Sequence, residues 1–208
     1  MKNHEHLVMG PDHMDKLYHD PNWLIRFGHQ KRLKEIIKLL PDGKNLKILD
    51  AGCGEGHLLS LIKNKLPGAQ LFGVDVTAIA LLSAQKRIPE GNFINNDICR
   101  LSFQDNFFEV VICSEVLEHI YQYQQALSEL KRVLKPNGLL IITFPHEWLF
   151  TVLRFIFGRR PAKTPDHVNH LTPGEIINSL KLPLIKRAGL PLAWPFFISP
   201  QYLLLFTK

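Results

Sequence analysis

The stretch Ile48–Leu59, ILDAGCGEGHLL, decides the fold. A short apolar run ends at an acid, Asp50, and three glycines at alternate positions, Gly52, Gly54 and Gly56, precede a second apolar run. Glycine suits a place where the backbone turns tightly and must approach a ligand without side-chain atoms in the way. The stretch therefore predicts a strand, a glycine-rich turn and a helix, with a ligand bound over the turn.

The spacing of these glycines separates two kinds of ligand site. The pattern is Gly-x-Gly-x-Gly, whereas dinucleotide-binding proteins carry Gly-x-Gly-x-x-Gly. No Lys-Ser or Lys-Thr pair follows the turn, so the phosphate-cradling loop of nucleotide triphosphatases is not indicated either.

Short apolar runs alternate with amphipathic stretches on both sides of the turn. Strands are predicted over 46–50, 70–75, 92–96, 109–114 and 139–144, and helices over 23–40, 57–65, 77–87 and 126–134. This alternation is typical of βαβ units in a parallel sheet, whose ligands bind beyond the carboxyl ends of the strands. Further on, Thr172 and Glu175 predict a helix start, and residues 191–208 predict a final hairpin.

Acidic residues follow the predicted strands. Asp75 can accept hydrogen bonds from both hydroxyls of a ribose, and Asp97 from an adenine amino group while Ile98 packs on the ring. Asp75 could instead cap the next helix, and Asp97 could be a turn residue. Because acids gather at the strand ends without Lys or Arg, the pattern favours a cationic, phosphate-free nucleoside.

Composition fits one domain of 208 residues and 23.9 kDa, in which 46% of residues are hydrophobic. We predict a single domain: an N-terminal arm and helix (1–45), a cofactor-binding core (46–145), and a substrate cap with sheet completion (146–208). No apolar run reaches the roughly 18 residues of a membrane span, and the His-rich N-terminus lacks a secretory signal. The three cysteines fit reduced thiols, so a cytoplasmic location is expected.

Five segments in order resemble one family: ILDAGCGEG, FGVD, NNDI, LSFQDNFFEVVICSEVLEHI and RVLKPNGLLIITFP. They resemble class I S-adenosylmethionine-dependent methyltransferases, of the small-molecule group that includes the ubiquinone-biosynthesis O-methyltransferases. The resemblance runs from about Leu46 to Phe144. It implies an α/β, Rossmann-like, doubly wound sheet of seven strands with the last strand antiparallel and helices on both faces, and S-adenosyl-L-methionine as cofactor.

The resemblance also implies roles for particular residues. The glycine loop would hold the methionine end of the cofactor, Asp75 the ribose, Asp97 with Ile98 the adenine, and Ser114 the region near the sulfonium. The full predicted cofactor-binding set is Asp50, Gly52, Cys53, Gly54, Gly56, Asp75, Val76, Asp97, Ile98 and Ser114.

The predicted chemistry is in-line methyl transfer, which needs placement of a nucleophile and exclusion of water more than a catalytic group. His119 could act as a general base, since its ordinary pKa is near 6.5. A second hypothesis places a divalent cation on Glu115, Glu118 and His119, with His167 or His170 completing the shell. A third has Glu118 and His119 only bracing the loop by local hydrogen bonds.

The acceptor is predicted to be a small or lipid-linked molecule methylated on oxygen. Alternatives are a metal-assisted RNA 2′-O-methyltransferase and a catalytically inactive S-adenosylmethionine-binding protein. Nucleic acid is not expected as a partner, because basic and aromatic residues do not interleave. The whole net charge of +6 lies in the last quarter of the chain. There the apolar and basic segment 148–163 could meet an anionic membrane weakly, or pack over the cleft or against another subunit.

Overall fold

The computed structural model describes residues 16, 18–156, 158, 166–191, 196 and 199–208. The cofactor-binding core predicted over 46–145 lies wholly within this part of the chain. The first 15 residues of the predicted N-terminal arm and the basic stretch 159–165 lie outside it.

Seven strands form one mixed sheet. They are Lys47–Ala51 (β1), Gln70–Asp75 (β2), Asn92–Asn95 (β3), Phe108–Ser114 (β4), Leu134–Pro145 (β5), Leu184–Leu190 (β6) and Gln201–Thr207 (β7). Their order across the sheet is β3-β2-β1-β4-β5-β7-β6. The first five strands run parallel, and β7 pairs antiparallel with both β5 and β6. The predicted topology, including the antiparallel last strand, is confirmed.

Helices cover both faces of the sheet. They are Trp23–Leu39 (α1), His57–Lys65 (α2), Ala78–Arg87 (α3), Tyr123–Val133 (α4), Glu147–Ile156 (α5) and Pro173–Leu180 (α6), with a 3₁₀ turn at Leu117–His119. Neighbouring residues of a buried parallel strand point to opposite faces. Ile48 accordingly packs in a cluster with α1, α2 and α3, whereas Leu49 packs in a second cluster with α4 and α6.

Strand β5 is longer than predicted at its start. The sequence Lys135-Pro136-Asn137-Gly138 predicts a break between helix and strand, yet Leu134 already pairs with Phe108. The pairing then shifts register before Val110, and Asn137 adopts a positive φ of 63°. A bulge thus lets the turn residues belong to the strand.

The final hairpin also differs from the prediction. Its second strand, β7, falls within residues 191–208 as expected, but its partner is β6, which precedes that range. In the sequence LIKRAGL, Ile185, Lys186 and Arg187 are exposed, because β6 is an edge strand that pairs on one side only. The consecutive Lys186 and Arg187 interrupt the apolar pattern, so periodicity does not reveal this strand.

The predicted start of α6 is confirmed by a complete capping box. The side chain of Thr172 accepts a hydrogen bond from the backbone nitrogen of Glu175, and the Glu175 carboxylate accepts one from the Thr172 backbone. All three cysteines are buried free thiols. Among the described residues, no helix combines the length and the apolarity that a membrane crossing requires.

Candidate functional site

The glycine loop follows β1 at the point where the strand order reverses. Gly52, Gly54 and Gly56 have positive φ angles of 83°, 49° and 78°. A Cβ atom on Gly52 would lie 2.3 Å from Cγ2 of Val116. The backbone nitrogens of Gly52 and Cys53 both donate to the carbonyl of Val74, at 2.7 and 3.0 Å, which ties the loop to the end of β2. Only glycine satisfies both the conformation and the space at position 52.

Asp75, the last residue of β2, holds the same loop with its carboxylate. One oxygen accepts a hydrogen bond from the backbone of Gly54 at 2.9 Å, and the other from the backbone of Thr77 at 2.8 Å. Thr77 is the N-cap residue of α3, but its side chain makes no capping bond. The two roles considered for Asp75, ribose binding and helix capping, are therefore compatible, since the carboxylate orders the start of α3 and also lines the cleft.

One cleft collects most of the predicted cofactor-binding residues at the carboxyl ends of the strands. Lining residues from that set are Gly52, Cys53, Gly54, Asp75, Val76, Asp97, Ile98 and Ser114, and His119 joins them. Asp97 also accepts a hydrogen bond from the backbone of Cys99 at 2.8 Å, so it forms the expected turn as well. Eight of the ten residues predicted to bind the cofactor thus line one cleft.

Two predicted residues lie elsewhere. Asp50 lines a smaller neighbouring cavity, which it shares with Gly52 and Ser114. Gly56 lines neither cavity; a Cβ there would lie 3.0 Å from the Cβ of Ala84 in α3. Gly56 therefore serves the close packing of α2 against α3 and does not touch the cleft.

Asp50 has unusual electrostatics for a carboxyl group. Burial, together with the nearby negative charge of Asp75, raises the pKa of Asp50 to about 7. The positive charge of Arg32 opposes this shift. A cationic ligand group placed beside Asp50 would favour its ionised form.

Arg32 of α1 is a cleft residue that the sequence analysis missed. It is 2% exposed, and its Nη1 lies 3.4 Å from Oε2 of Glu115. Its Nε is buried without a hydrogen-bond partner. The sequence contains a pattern that could have identified Arg32. It precedes Ile36 by four residues, so it places a cation on the buried face of α1. The guanidinium leaves this end of the cleft suited to an anionic ligand group.

Glu115 follows β4 in a strained conformation. Its φ of 58° is unusual for a residue other than glycine. Its Oε2 accepts a hydrogen bond from Gln201 at 3.0 Å and faces Arg32. Because its carboxylate faces Arg32 and Gln201, Glu115 does not join the described side chains that could hold a metal ion, although the sequence predicted it as a ligand.

A second group of side chains adjoins the cleft through His119. Glu118, His119 and His167 bring one potential ligand atom each to within 4.8 Å of one another. His170, the other candidate of the prediction, is exposed and does not belong to this group. Of the three predicted ligands Glu115, Glu118 and His119, the last two thus lie together, and His167 is the histidine that joins them.

Two acidic residues that the sequence analysis missed orient the histidines. Nδ1 of His119 lies 3.1 Å from the backbone carbonyl oxygen of Asp166 and 3.3 Å from its Oδ2, and Nδ1 of His167 lies 2.6 Å from Oε1 of Glu147. Burial lowers the pKa of His119, despite the opposing effect of the Asp166 charge. Burial, with the charge of Glu115, raises the pKa of Glu118.

Topology and cleft together define a class of protein. A sheet with the order 3-2-1-4-5-7-6, an antiparallel seventh strand, and a glycine loop facing acids at the strand ends is the fold of class I methyltransferases. The solved structure of a magnesium protoporphyrin IX methyltransferase from Synechocystis with bound SAH matches it with a TM-score of 0.73. That match covers 95% of this chain and 93% of the other at 21% sequence identity, which establishes the likeness of the fold.

Sequence comparisons identify the family. A family model described as a methyltransferase domain matches residues 49–142. The chain is 33% identical over 154 residues to a ubiquinone biosynthesis O-methyltransferase of Rickettsia typhi, covering 67% of this chain and 59% of that protein. It is 30% identical over 142 residues to a demethylmenaquinone methyltransferase of Thermotoga maritima, covering 68% and 62%. Residues 49–142 form a methyltransferase domain of the class I S-adenosylmethionine-dependent type, whose cofactor is S-adenosylmethionine, and the chain spans about three fifths of the length of these two relatives.

Proposed function

We propose that the protein transfers a methyl group from S-adenosylmethionine to an oxygen of a small or lipid-linked acceptor. The observation that carries the proposal is the convergence of the glycine loop, Asp75, Asp97 and His119 on one cleft. The sulfonium methyl is an activated electrophile with a neutral leaving group, so the protein must chiefly align the acceptor oxygen behind it and exclude water.

Within this cleft the cofactor would lie along the strand ends. Asp75 would accept the ribose hydroxyls, Asp97 and Ile98 would contact the adenine, and Ser114 would lie near the sulfonium. Arg32 adds a role that the sequence did not predict: its buried guanidinium would pair with the carboxylate of the methionine moiety. Asp50 would favour the cationic methionine end from the adjoining cavity.

The lipid-linked acceptor class is supported by helix α5, which follows β5 beside the cleft. Trp148 and Phe155 lie seven residues apart, hence on one face of the helix, and they are 72% and 67% exposed; Ile156 next to them is 65% exposed. The chain from 151 onward carries eight basic residues against Asp166 and Glu175. An apolar helix face within a part of the sequence rich in basic residues fits an anionic lipid surface.

The acceptor is tested with tritium-labelled cofactor on fractionated cell extracts. We expect label to enter the fraction that organic solvent extracts, and to be absent when Asp75→Ala protein replaces the wild type. Label in the RNA fraction would instead support the 2′-O-methyltransferase alternative. Binding of S-adenosylhomocysteine with no labelled product in any fraction would support a catalytically inactive binding protein.

Membrane contact through segment 148–163 is tested by flotation with liposomes. We expect the protein to float with vesicles containing phosphatidylglycerol at low salt and to stay unbound with phosphatidylcholine alone, because one short helix binds weakly without charge attraction. Trp148→Ser with Phe155→Ser should reduce the floated fraction at least fivefold. Leu82→Ser, which alters a 63% exposed residue of α3, is the matched control. Equal flotation of the double variant and the wild type would refute the assignment to α5.

A further inference from the structure

We infer that Glu118, His119 and His167 form a binding site for a divalent transition-metal cation such as Zn²⁺ at the acceptor end of the cleft. Their ligand atoms lie within 4.8 Å of one another, and a bound cation would draw them together. Two imidazoles with one carboxylate form a ligand set that Zn²⁺ and similar cations accept, whereas Mg²⁺ and Ca²⁺ prefer oxygen ligands alone.

The burial of Glu118 supports a cation at this place. The residue is 1% exposed, and its Oε2 has no hydrogen-bond partner. A buried carboxylate oxygen without a partner is costly, and cation coordination offsets that cost. Arg32 attracts the Glu118 carboxylate, but the close ion pair of its guanidinium is with Glu115, and Oε2 of Glu118 keeps no hydrogen-bond partner.

The histidines are arranged as metal ligands usually are. Each engages an acidic residue through Nδ1. His119 contacts the backbone carbonyl of Asp166 at 3.1 Å, with the Asp166 carboxylate at 3.3 Å, and His167 contacts the carboxylate of Glu147. A carbonyl or carboxylate oxygen on one ring nitrogen fixes the ring orientation and makes the other nitrogen, Nε2, the better electron-pair donor. The two rings stand nearly perpendicular, at 85°, with centroids 4.8 Å apart.

The backbone holds the two halves of the site in place. The carbonyl of Glu118 accepts hydrogen bonds from the nitrogens of Val168 and Asn169, at 2.9 and 3.0 Å. The side chain of Asn169 donates to the carbonyl of Ile120. The segment that carries His167 is therefore fastened to the turn that carries Glu118 and His119.

The position of the cation beside the cleft gives it a role in methyl transfer, and this role rests on the proposed function. Because His119 lines the cleft, open coordination positions would face the acceptor. A coordinated hydroxyl loses its proton more readily, so the cation would orient the acceptor oxygen and let its proton pass to solvent water, while the oxygen takes the methyl group and S-adenosylhomocysteine leaves as the neutral thioether. A histidine bound to the cation cannot also accept that proton, so this assignment replaces the general-base role predicted for His119.

Metal binding is tested directly on the full chain after treatment with a chelator. We expect Zn²⁺, measured by competition with a chromophoric chelator, and Co²⁺, followed by its visible absorption, to bind with one site per chain that depends on this cluster. Glu118→Gln and His167→Ala should each weaken that binding at least ~100-fold. Glu147→Gln, which alters only a positioning residue, should weaken it roughly 10–100-fold. His170→Ala, an exposed histidine of the same segment, should leave the affinity unchanged.

Three measurements distinguish this inference from the proposed function. Binding of S-adenosylhomocysteine by His167→Ala, within twofold of the wild type, would show that the variant is folded and that its cofactor site is intact. Methyl transfer that survives chelation would leave the proposed function standing and would remove the role of the cation. Zn²⁺ and Co²⁺ titrations that are the same in Glu118→Gln, His167→Ala and wild-type protein would overturn the site itself.

Discussion

Asp75→Ala is expected to weaken the binding of S-adenosylmethionine about 100-fold, or ~2.7 kcal/mol. The carboxylate accepts hydrogen bonds from the backbones of Gly54 and Thr77 in addition to the ribose contact proposed for it. Hydrogen bonds to charged groups contribute about 1.5–3 kcal/mol each, so the variant loses both a ligand contact and part of the order of the loop. Isothermal titration calorimetry with S-adenosylhomocysteine measures the change.

A ribose-modified ligand separates these two effects. A 2′-deoxy analogue should bind the wild type at least tenfold more weakly than the normal ligand, but should be barely disfavoured by Asp75→Ala, which no longer has a carboxylate for that hydroxyl. Asp105→Ala removes the same charge at a 70% exposed side chain outside the cleft and should change neither affinity. If both proteins discriminate equally against the deoxy analogue, Asp75 orders the loop but does not recognise the ribose.

The core of the fold could be predicted because its signals are local. Strand β2 and helix α2 begin and end at the predicted residues, since each apolar run is bounded by polar or glycine positions that end it. Edges and bulges were predicted less well. Strand β6 was missed because its exposed residues break the apolar pattern, and the bulge at the start of β5 resembles a turn in sequence.

The candidate site shows the same difference between residues with local sequence signals and residues placed by tertiary packing. Residues at strand ends, such as Asp75 and Asp97, could be found because parallel strands bring their carboxyl ends to one edge. Arg32, Glu147 and Asp166 come from helices and loops distant in sequence, and their meeting with Glu115, His167 and His119 depends on tertiary packing alone. For the same reason, spacing suggested Glu115 as a metal ligand, although the packed structure pairs it with Arg32.

Gly52→Ala is expected to lower the free energy of unfolding by about 2–4 kcal/mol and to abolish measurable cofactor binding. The left-handed conformation, with φ of 83°, costs a residue with a Cβ roughly 1–2 kcal/mol. The added carbon would also lie 2.3 Å and 2.9 Å from the two γ-carbons of Val116, whose branched side chain has little freedom to move away. Either the loop or Val116 must shift, and both line the cleft. Urea unfolding and calorimetric titration measure the two effects.

A second substitution separates the clash from the backbone strain. Val116→Ala removes both γ-carbons. In that background, Gly52→Ala should lower the free energy of unfolding by about 1–2 kcal/mol less than it does in the wild type. The loss that remains is the strain of the positive φ. Gly28→Ala, where a Cβ meets nothing within 4 Å in helix α1, should instead stabilise the protein by up to about 1 kcal/mol. Wild-type affinity for S-adenosylhomocysteine in Gly52→Ala would mean that the cofactor does not approach the loop here, and the orientation proposed for its methionine end would be wrong.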